Sequence, residues 1–225
     1  MRPWILLDSA TVPGGGGELR LYQRGEEFSI KIVGRGELMN SRMHGSEDAL
    51  AELTCARLAA SPAPRLLIGG LGMGFTLAAA LQHFPEQTEI IVAELVPAVV
   101  TWNKGPLGTL TGQPLANPRV SVRAMDVARI LETEEQAFDA ILLDVDNGPE
   151  GLTRKENDWL YSMNGLNAAY AALRPQGILA VWSAGPDQNF LQRLHKVGFA
   201  VEEVGVRAHG KKGARHIIWF ARRPA

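Results

Sequence analysis

The 225-residue sequence contains one cysteine, Cys55, and its five histidines fall at no spacing typical of metal ligands. A single cysteine cannot form an internal disulfide, and the sequence predicts no metal centre. The formal net charge is −1, so no basic excess points to nucleic acid or to a membrane surface. No apolar run approaches the ~20 residues that span a bilayer. We therefore expect a soluble, cytoplasmic protein that binds neither nucleic acid nor membrane.

Glycine is concentrated in one stretch, residues 64–77, around which the rest of the chain is organised. The apolar run Leu66–Ile68 leads into a series of glycines that includes Gly70, Gly72 and Gly74, and a helical pattern follows. A strand, a glycine turn and a helix in this order let the backbone turn sharply and let a ligand approach it closely. The helix start adds unpaired N–H groups and the positive end of a helix dipole.

A carboxylate, Glu94, follows the next predicted strand, about twenty residues beyond the glycine turn. An acid at this place can accept hydrogen bonds from both hydroxyls of a ribose that lies over the turn. It could instead act as an acidic residue at the start of the following helix. We favour the nucleoside interpretation, because the glycine turn and the acid occur together.

Strands and helices alternate from Arg65 onward, which is typical of a mostly parallel sheet with helices on both faces. The last two predicted strands are joined by residues 208–214, too short a segment for a crossover connection. The last strand must therefore run antiparallel, as in methyltransferase-type sheets, whereas a nicotinamide-binding fold closes with a parallel strand. We predict an α/β, doubly wound, mostly parallel seven-stranded sheet of the methyltransferase type with its last strand antiparallel.

Alternating apolar residues between positions 18 and 33 predict a small β-hairpin before the main sheet. Ser46 is predicted to cap the helix that follows, with acidic residues in its first turn. This pattern divides the chain into a small N-terminal β region, residues 1–45, and a Rossmann-like methyltransferase-type domain, residues 46–225.

Acidic residues end or follow the strands of the main domain, at the sheet edge where open α/β folds bind ligands. Asp126 can accept a hydrogen bond from an adenine amino group while Met125 or Val127 packs on the ring, and Asp126 is also a favoured helix cap. Asp144 and Asp146 can bind an amine that Asn147 orients. Turn chemistry alone also favours such residues in a loop.

Taken together, these motifs resemble the spermidine synthase (polyamine aminopropyltransferase) branch of the S-adenosylmethionine-dependent methyltransferase fold. The resemblance extends from about Glu18 to Ala221. It is carried by Leu66–Leu77, Val92–Glu94, Met125–Asp126, Phe138–Asp144 and Leu173–Leu179. It implies that S-adenosylmethionine or its decarboxylated form binds with the ribose on Glu94, the adenine on Asp126, and Gly70, Gly72 and Gly74 in the turn. It also implies a homodimer and a small-molecule acceptor, possibly an amine.

Two departures from the family pattern affect the acceptor half of the site. The family turn contains an Asp that helps to hold the aminopropyl amine, and Met73 stands at that position here. The family loop after the fourth strand contains an Asp that helps to deprotonate the attacking amine, and that position falls on Asn147. Asparagine is no base near pH 7. We therefore expect methyl transfer to an unidentified acceptor first, with aminopropyl transfer and a non-catalytic nucleoside-binding protein as the alternatives.

Overall fold

The computed structural model describes residues 2–59, 61–145, 157–209 and 212–225 and contains two β-sheets. The strands are β1 (Ile5–Thr11), β2 (Glu18–Arg24), β3 (Glu27–Ile32), β4 (Gly36–Asn40), β5 (Arg65–Gly69), β6 (Glu89–Ala93), β7 (Val120–Arg123), β8 (Phe138–Leu143), β9 (Leu173–Ser183), β10 (Ala200–His209) and β11 (Lys212–Arg222). The helices are α1 (Gly45–Arg57), α2 (Phe75–His83), α3 (Pro97–Lys104), α4 (Val127–Thr133), α5 (Asn157–Leu160), α6 (Met163–Ala172) and α7 (Gln188–Val197). Within these described ranges, no helix is long and apolar enough to cross a membrane.

The N-terminal sheet is antiparallel and has the strand order β1-β2-β3-β4. The predicted hairpin is confirmed as β2 and β3, whose inward side chains, such as Leu21 and Ile30, are almost fully buried. β1 extends the sheet on one side and β4 on the other. Most side chains of β1 are exposed. The strand therefore lacks the alternation of buried apolar and exposed polar residues by which a strand is predicted from a sequence.

The main sheet has the order β10-β11-β9-β8-β5-β6-β7. Its described strands are parallel except β11, which pairs antiparallel with both β9 and β10. The predicted seven-stranded methyltransferase-type sheet is thus confirmed, including its antiparallel last strand. β11 lies inside the sheet, where Ile218 and Trp219 are fully buried.

Two apolar layers cover the main sheet. One face packs against α1, α2 and α3 and joins buried residues of the N-terminal sheet in a single hydrophobic cluster. The other face packs against α4, α6 and α7. The N-terminal sheet therefore lies on the same side as α1 to α3, next to the carboxyl ends of β5 and β6. The division of the chain at residues 45 and 46 remains a prediction.

The start of α1 differs from the prediction. Ser46 does not cap the helix, because His44 occupies the cap position and makes no side-chain capping bond. The Ser46 hydroxyl instead donates to Oε2 of Glu47 at 2.6 Å. Ser46 lies inside the helix and not at the cap position, so its hydroxyl contacts a neighbouring carboxylate instead of the free N–H groups of the first turn.

Candidate active site

The glycine turn connects β5 to α2 through three residues with left-handed backbone angles. The φ values are +90° at Gly70, +51° at Gly72 and +84° at Gly74. A Cβ at Gly70 would collide with the backbone carbonyl of Asp144, and one at Gly74 would come within 2.8 Å of Asn103 Oδ1. Packing within the protein therefore requires glycine at both positions.

Glu94 follows β6 and is only 8% exposed. Its Oε2 accepts a hydrogen bond from the Leu71 amide at 2.9 Å, and its Oε1 accepts one from the Val96 amide at 2.8 Å. The carboxylate thus ties the glycine turn to the segment that begins α3. Glu94 is thus compatible with both interpretations of the sequence, because it supports the start of a helix and also lines a cavity. A carboxylate can accept more than two hydrogen bonds, so this role is compatible with binding a ribose.

A cavity, called the first cavity here, lies over the carboxyl ends of β5, β6 and β8 and is closed on one side by the N-terminal sheet. Its lining comprises Val12, Gly16, Leu19, Ile30, Ile32, Leu38, Met39, Gly70, Gly72, Ala93, Glu94, Leu95, Val96, Val99, Met125, Asp126, Val127, Asp144, Val145 and Leu160. The structure thus brings five of the six predicted nucleoside-binding residues together. Gly74 is the sixth, and it lies beside Asn103 at the start of α2, outside this lining.

Asp126 and Met125 occupy the side of the first cavity formed by the end of β7. Asp126 is the N-cap of α4, and its Oδ1 accepts from the Ala128 amide at 2.9 Å. The capping bond uses one oxygen of a side chain that also lines the cavity. Met125 is 42% exposed, which is unusual for a large apolar side chain in this protein. This pair fits the flat, partly apolar face and the amino group of an adenine.

A second cavity adjoins the first and shares Leu38, Met39, Gly72 and Asp144 with it. Its lining comprises Leu38, Met39, Asn40, Glu47, Leu71, Gly72, Met73, Phe75, Asp144 and Trp182. Asp144 stands at the junction of the two cavities, where its Oδ2 accepts from the Thr76 hydroxyl at 2.6 Å. The other two predicted catalytic residues, Asp146 and Asn147, lie outside the described residues.

Glu47 is the functional candidate that sequence reasoning missed. Burial and the nearby Asp144 carboxylate raise its pKa from 4.5 to about 7. From the sequence, Glu47 is an acid of the first helical turn, and no motif distinguishes it from Asp48. Its raised pKa depends on tertiary packing, which places α1 against β8 and so brings Glu47 near Asp144.

Two further residues shape the second cavity. Met73 is 3% exposed and forms part of its apolar wall. His44 does not belong to the lining but stacks on the lining residue Phe75, with 4.2 Å between ring centroids, and its Nδ1 lies 2.7 Å from Asp48 Oδ2. No group of three or more metal-ligating side chains occurs in the part of the chain that the structure describes.

The strand order, the antiparallel β11 and the cavity over the strand ends define the class I S-adenosylmethionine-dependent methyltransferase fold. Solved spermidine synthases share this fold with the chain. The enzyme from Thermotoga maritima matches with a TM-score of 0.77 and 18% identity, over 97% of this chain and 72% of that one.

Two other solved structures extend this likeness. A spermidine synthase in complex with the transition state analogue AdoDATO matches with a TM-score of 0.76 and 18% identity, over 97% of this chain and 72% of that one. A probable spermidine synthase from Corynebacterium glutamicum ATCC 13032 matches with a TM-score of 0.65 and 16% identity, over 96% and 79% of the two chains. No protein-family model and no curated protein matches this sequence. At these identities the likeness establishes the fold.

Proposed function

We propose that this protein transfers the aminopropyl group of decarboxylated S-adenosylmethionine to an amine. The observation that carries the proposal is the second cavity, which places two carboxylates, Glu47 and Asp144, beside the first cavity. Acids in a partly buried pocket attract and orient a cationic amine. The solved structures support this alternative better than they support methyl transfer, the reaction expected first from the sequence, because they are spermidine synthases and one holds a transition state analogue.

The residues of the first cavity fit a nucleoside. Glu94 would accept from the ribose hydroxyls, Asp126 would accept from the adenine amino group, and Met125 would cover the ring. Gly70 and Gly72 keep the turn open beside them. When bound, the sulfonium of the donor supplies the leaving group. The protein then chiefly aligns the nucleophile with the carbon it attacks.

Asp144 would hold the ammonium end of the donor or of the acceptor, because it lines both cavities. In this role it would replace the acid that the resembled family has at the position of Met73. Asp146 and Asn147 remain predicted contributors from the loop that follows β8. A homodimer and a cytoplasmic location also remain predictions.

Methyl transfer from S-adenosylmethionine is the second candidate, and one observation favours it. Met73 places a buried apolar side chain in the wall of the second cavity, where the resembled family has an acid. An apolar wall suits a neutral acceptor better than a diamine.

The test is to incubate the purified protein with each donor and a series of diamines, and to identify the nucleoside product by mass spectrometry. Aminopropyl transfer leaves 5′-methylthioadenosine, and methyl transfer leaves S-adenosylhomocysteine. We expect amine-dependent 5′-methylthioadenosine from the decarboxylated donor. S-Adenosylhomocysteine alone would replace this proposal with methyl transfer. Nucleoside binding without either product would leave the non-catalytic alternative.

A further inference from the structure

Three polar side chains form a continuous hydrogen-bonded chain that leads out of the second cavity. Glu47 lines the cavity, and its Oε2 accepts from the Ser46 hydroxyl at 2.6 Å. Ser46 Oγ lies 3.0 Å from Nδ1 of His216, which is 170 positions away on β11. The chain thus connects the cavity, through the start of α1, to the last strand of the main sheet.

Ser46 cannot be a nucleophile in this arrangement, because it is 1% exposed and contacts a polar partner on each side. A hydroxyl donates one hydrogen bond and accepts others, so it can reverse its direction between two partners. While Glu47 is ionised, Ser46 donates to Glu47 and accepts from His216. Once Glu47 is protonated, Glu47 can donate to Ser46, and Ser46 can donate to Nδ1 of the His216 tautomer that carries its proton on Nε2. The geometry therefore accommodates both the ionised and the protonated form of Glu47.

The surroundings of Glu47 favour a base that works near neutral pH. The acids that act on it are Asp144, from the end of β8, and Asp48, which pairs with His44 on its own helix. Burial and these negative charges raise the pKa of Glu47 to about 7. Burial lowers the pKa of His216, whose ring packs edge-on against Trp182 at 4.7 Å, so His216 is neutral at pH 7 and does not compete with Glu47 for a proton.

We propose that Glu47 accepts the proton of the acceptor amine in the second cavity, and that Ser46 and His216 hold its carboxyl in place in both protonation states. The inference rests on the proposed function and names the base that it requires. Asp144 has a different task, because its position at the junction of the cavities and its bond from Thr76 suit holding a cation in place.

The step balances as follows in atoms and electrons. The acceptor ammonium gives one proton to the Glu47 carboxylate and becomes a neutral amine. The amine nitrogen uses its lone pair to form a bond to the propyl carbon, while the bond from that carbon to sulfur breaks. The electron pair of the broken bond stays on sulfur, which changes from a sulfonium into a neutral thioether. The secondary ammonium that forms carries the positive charge.

The experiment compares Glu47→Gln with Glu52→Gln, an exposed residue of the same helix. Initial rates of 5′-methylthioadenosine formation from decarboxylated S-adenosylmethionine and putrescine are measured from pH 5.5 to 9. For the native protein and Glu52→Gln we expect kcat/KM to fall on the acid side with a midpoint near pH 7. For Glu47→Gln we expect a rate at least about 100-fold lower and no acid limb. Calorimetric affinity for 5′-methylthioadenosine should stay within about twofold in all three proteins, which also shows that each is folded.

Ser46→Ala and His216→Asn test the positioning residues. We expect kcat to fall by about tenfold with little change in KM for putrescine, and the acid limb of kcat/KM to shift. A native rate and acid limb in Glu47→Gln would overturn this inference alone. Failure of the native protein to use any diamine, despite binding the nucleoside, would overturn the proposed function and this inference with it.

Discussion

A single carboxyl, that of Glu47, makes the stability of this protein depend on pH. Its pKa is about 7 in the folded protein and 4.5 in the unfolded chain. Between these values the folded state binds one proton more than the unfolded state, so stability falls as pH rises through this window. We predict that Glu47→Gln removes this loss of stability and raises the free energy of unfolding at pH 8 by up to about 3 kcal/mol.

Urea denaturation at pH 4 and pH 8 measures this effect. At pH 4 the native protein and Glu47→Gln should have nearly the same stability, because the carboxyl is mostly protonated in both the folded and the unfolded state. Glu52→Gln, on the exposed side of the same helix, should change little at either pH. Equal stability of Glu47→Gln and the native protein at pH 8 would contradict the prediction.

Glu94 is the residue whose replacement should weaken nucleoside binding. In Glu94→Gln an amide NH₂ replaces one of the two oxygens that accept from Leu71 and Val96, and the charge that would hold a ribose is lost. We predict that affinity for 5′-methylthioadenosine falls by tenfold to hundredfold, as about 1.5–3 kcal/mol of charge-assisted hydrogen bonding disappears. The measurement is titration calorimetry.

The control for this change is Glu89→Gln at the other end of β6, where the carboxylate forms a partly exposed ion pair with Arg65. Exposed ion pairs contribute little, so its affinity should match that of the native protein. Equal losses in both variants would show that the effect is not specific to the cavity.

Residues differ in how far the sequence could assign them. Glu94 was predicted because its role follows from its distance along the chain to a glycine turn. Glu47 was missed because its properties come from Asp144, far away in the sequence, and from burial that local pattern does not encode. His216 was one of five scattered histidines until β11 placed it beside Ser46.

At the scale of elements, the start of α2 depends on a glycine. Gly74 has φ +84°, and a Cβ there would approach Asn103 Oδ1 at 2.8 Å, whereas Gly112 has φ +72° and open space around it. Gly112→Ala should cost about 1–2 kcal/mol from backbone strain alone. We predict that Gly74→Ala costs about 1–3 kcal/mol more, because Asn103 must also move. Urea denaturation midpoints of both variants measure the two losses of stability, and equal losses would contradict the prediction.

Elements with a strong pattern were predicted closely. The sequence predicts strands at 65–69 and 138–143 and helices at 75–83 and 97–104, and β5, β8, α2 and α3 have these bounds. Glycine or proline marks the ends of β5, α2 and α3, and an apolar run that stops at Asp144 marks β8. β1 and the cap of α1 were not anticipated. Both depend on tertiary contacts, namely pairing of β1 with β2 and the attraction of the Ser46 hydroxyl to Glu47.

The whole molecule shares one hydrophobic cluster between its N-terminal sheet and the main domain. Leu21 and Ile30 belong to the same cluster as Leu77 and Val99, and Trp102 Nε1 also donates to Asp8 Oδ2 at 2.6 Å. We predict a single cooperative unfolding transition. Circular dichroism and tryptophan fluorescence should give the same midpoint, because the two regions cannot lose their shared core separately. Two separated transitions would show that residues 1–45 unfold independently.

The position of β11 has a consequence for how this protein is made. Among the strands that the structure describes, β10 pairs within the main sheet only with β11, which follows it in the chain. During synthesis on the ribosome, β10 therefore cannot pair with the main sheet until β11 has emerged. His216 lies on that same strand, so pairing of β10 and the link to Ser46 both become possible when β11 has emerged.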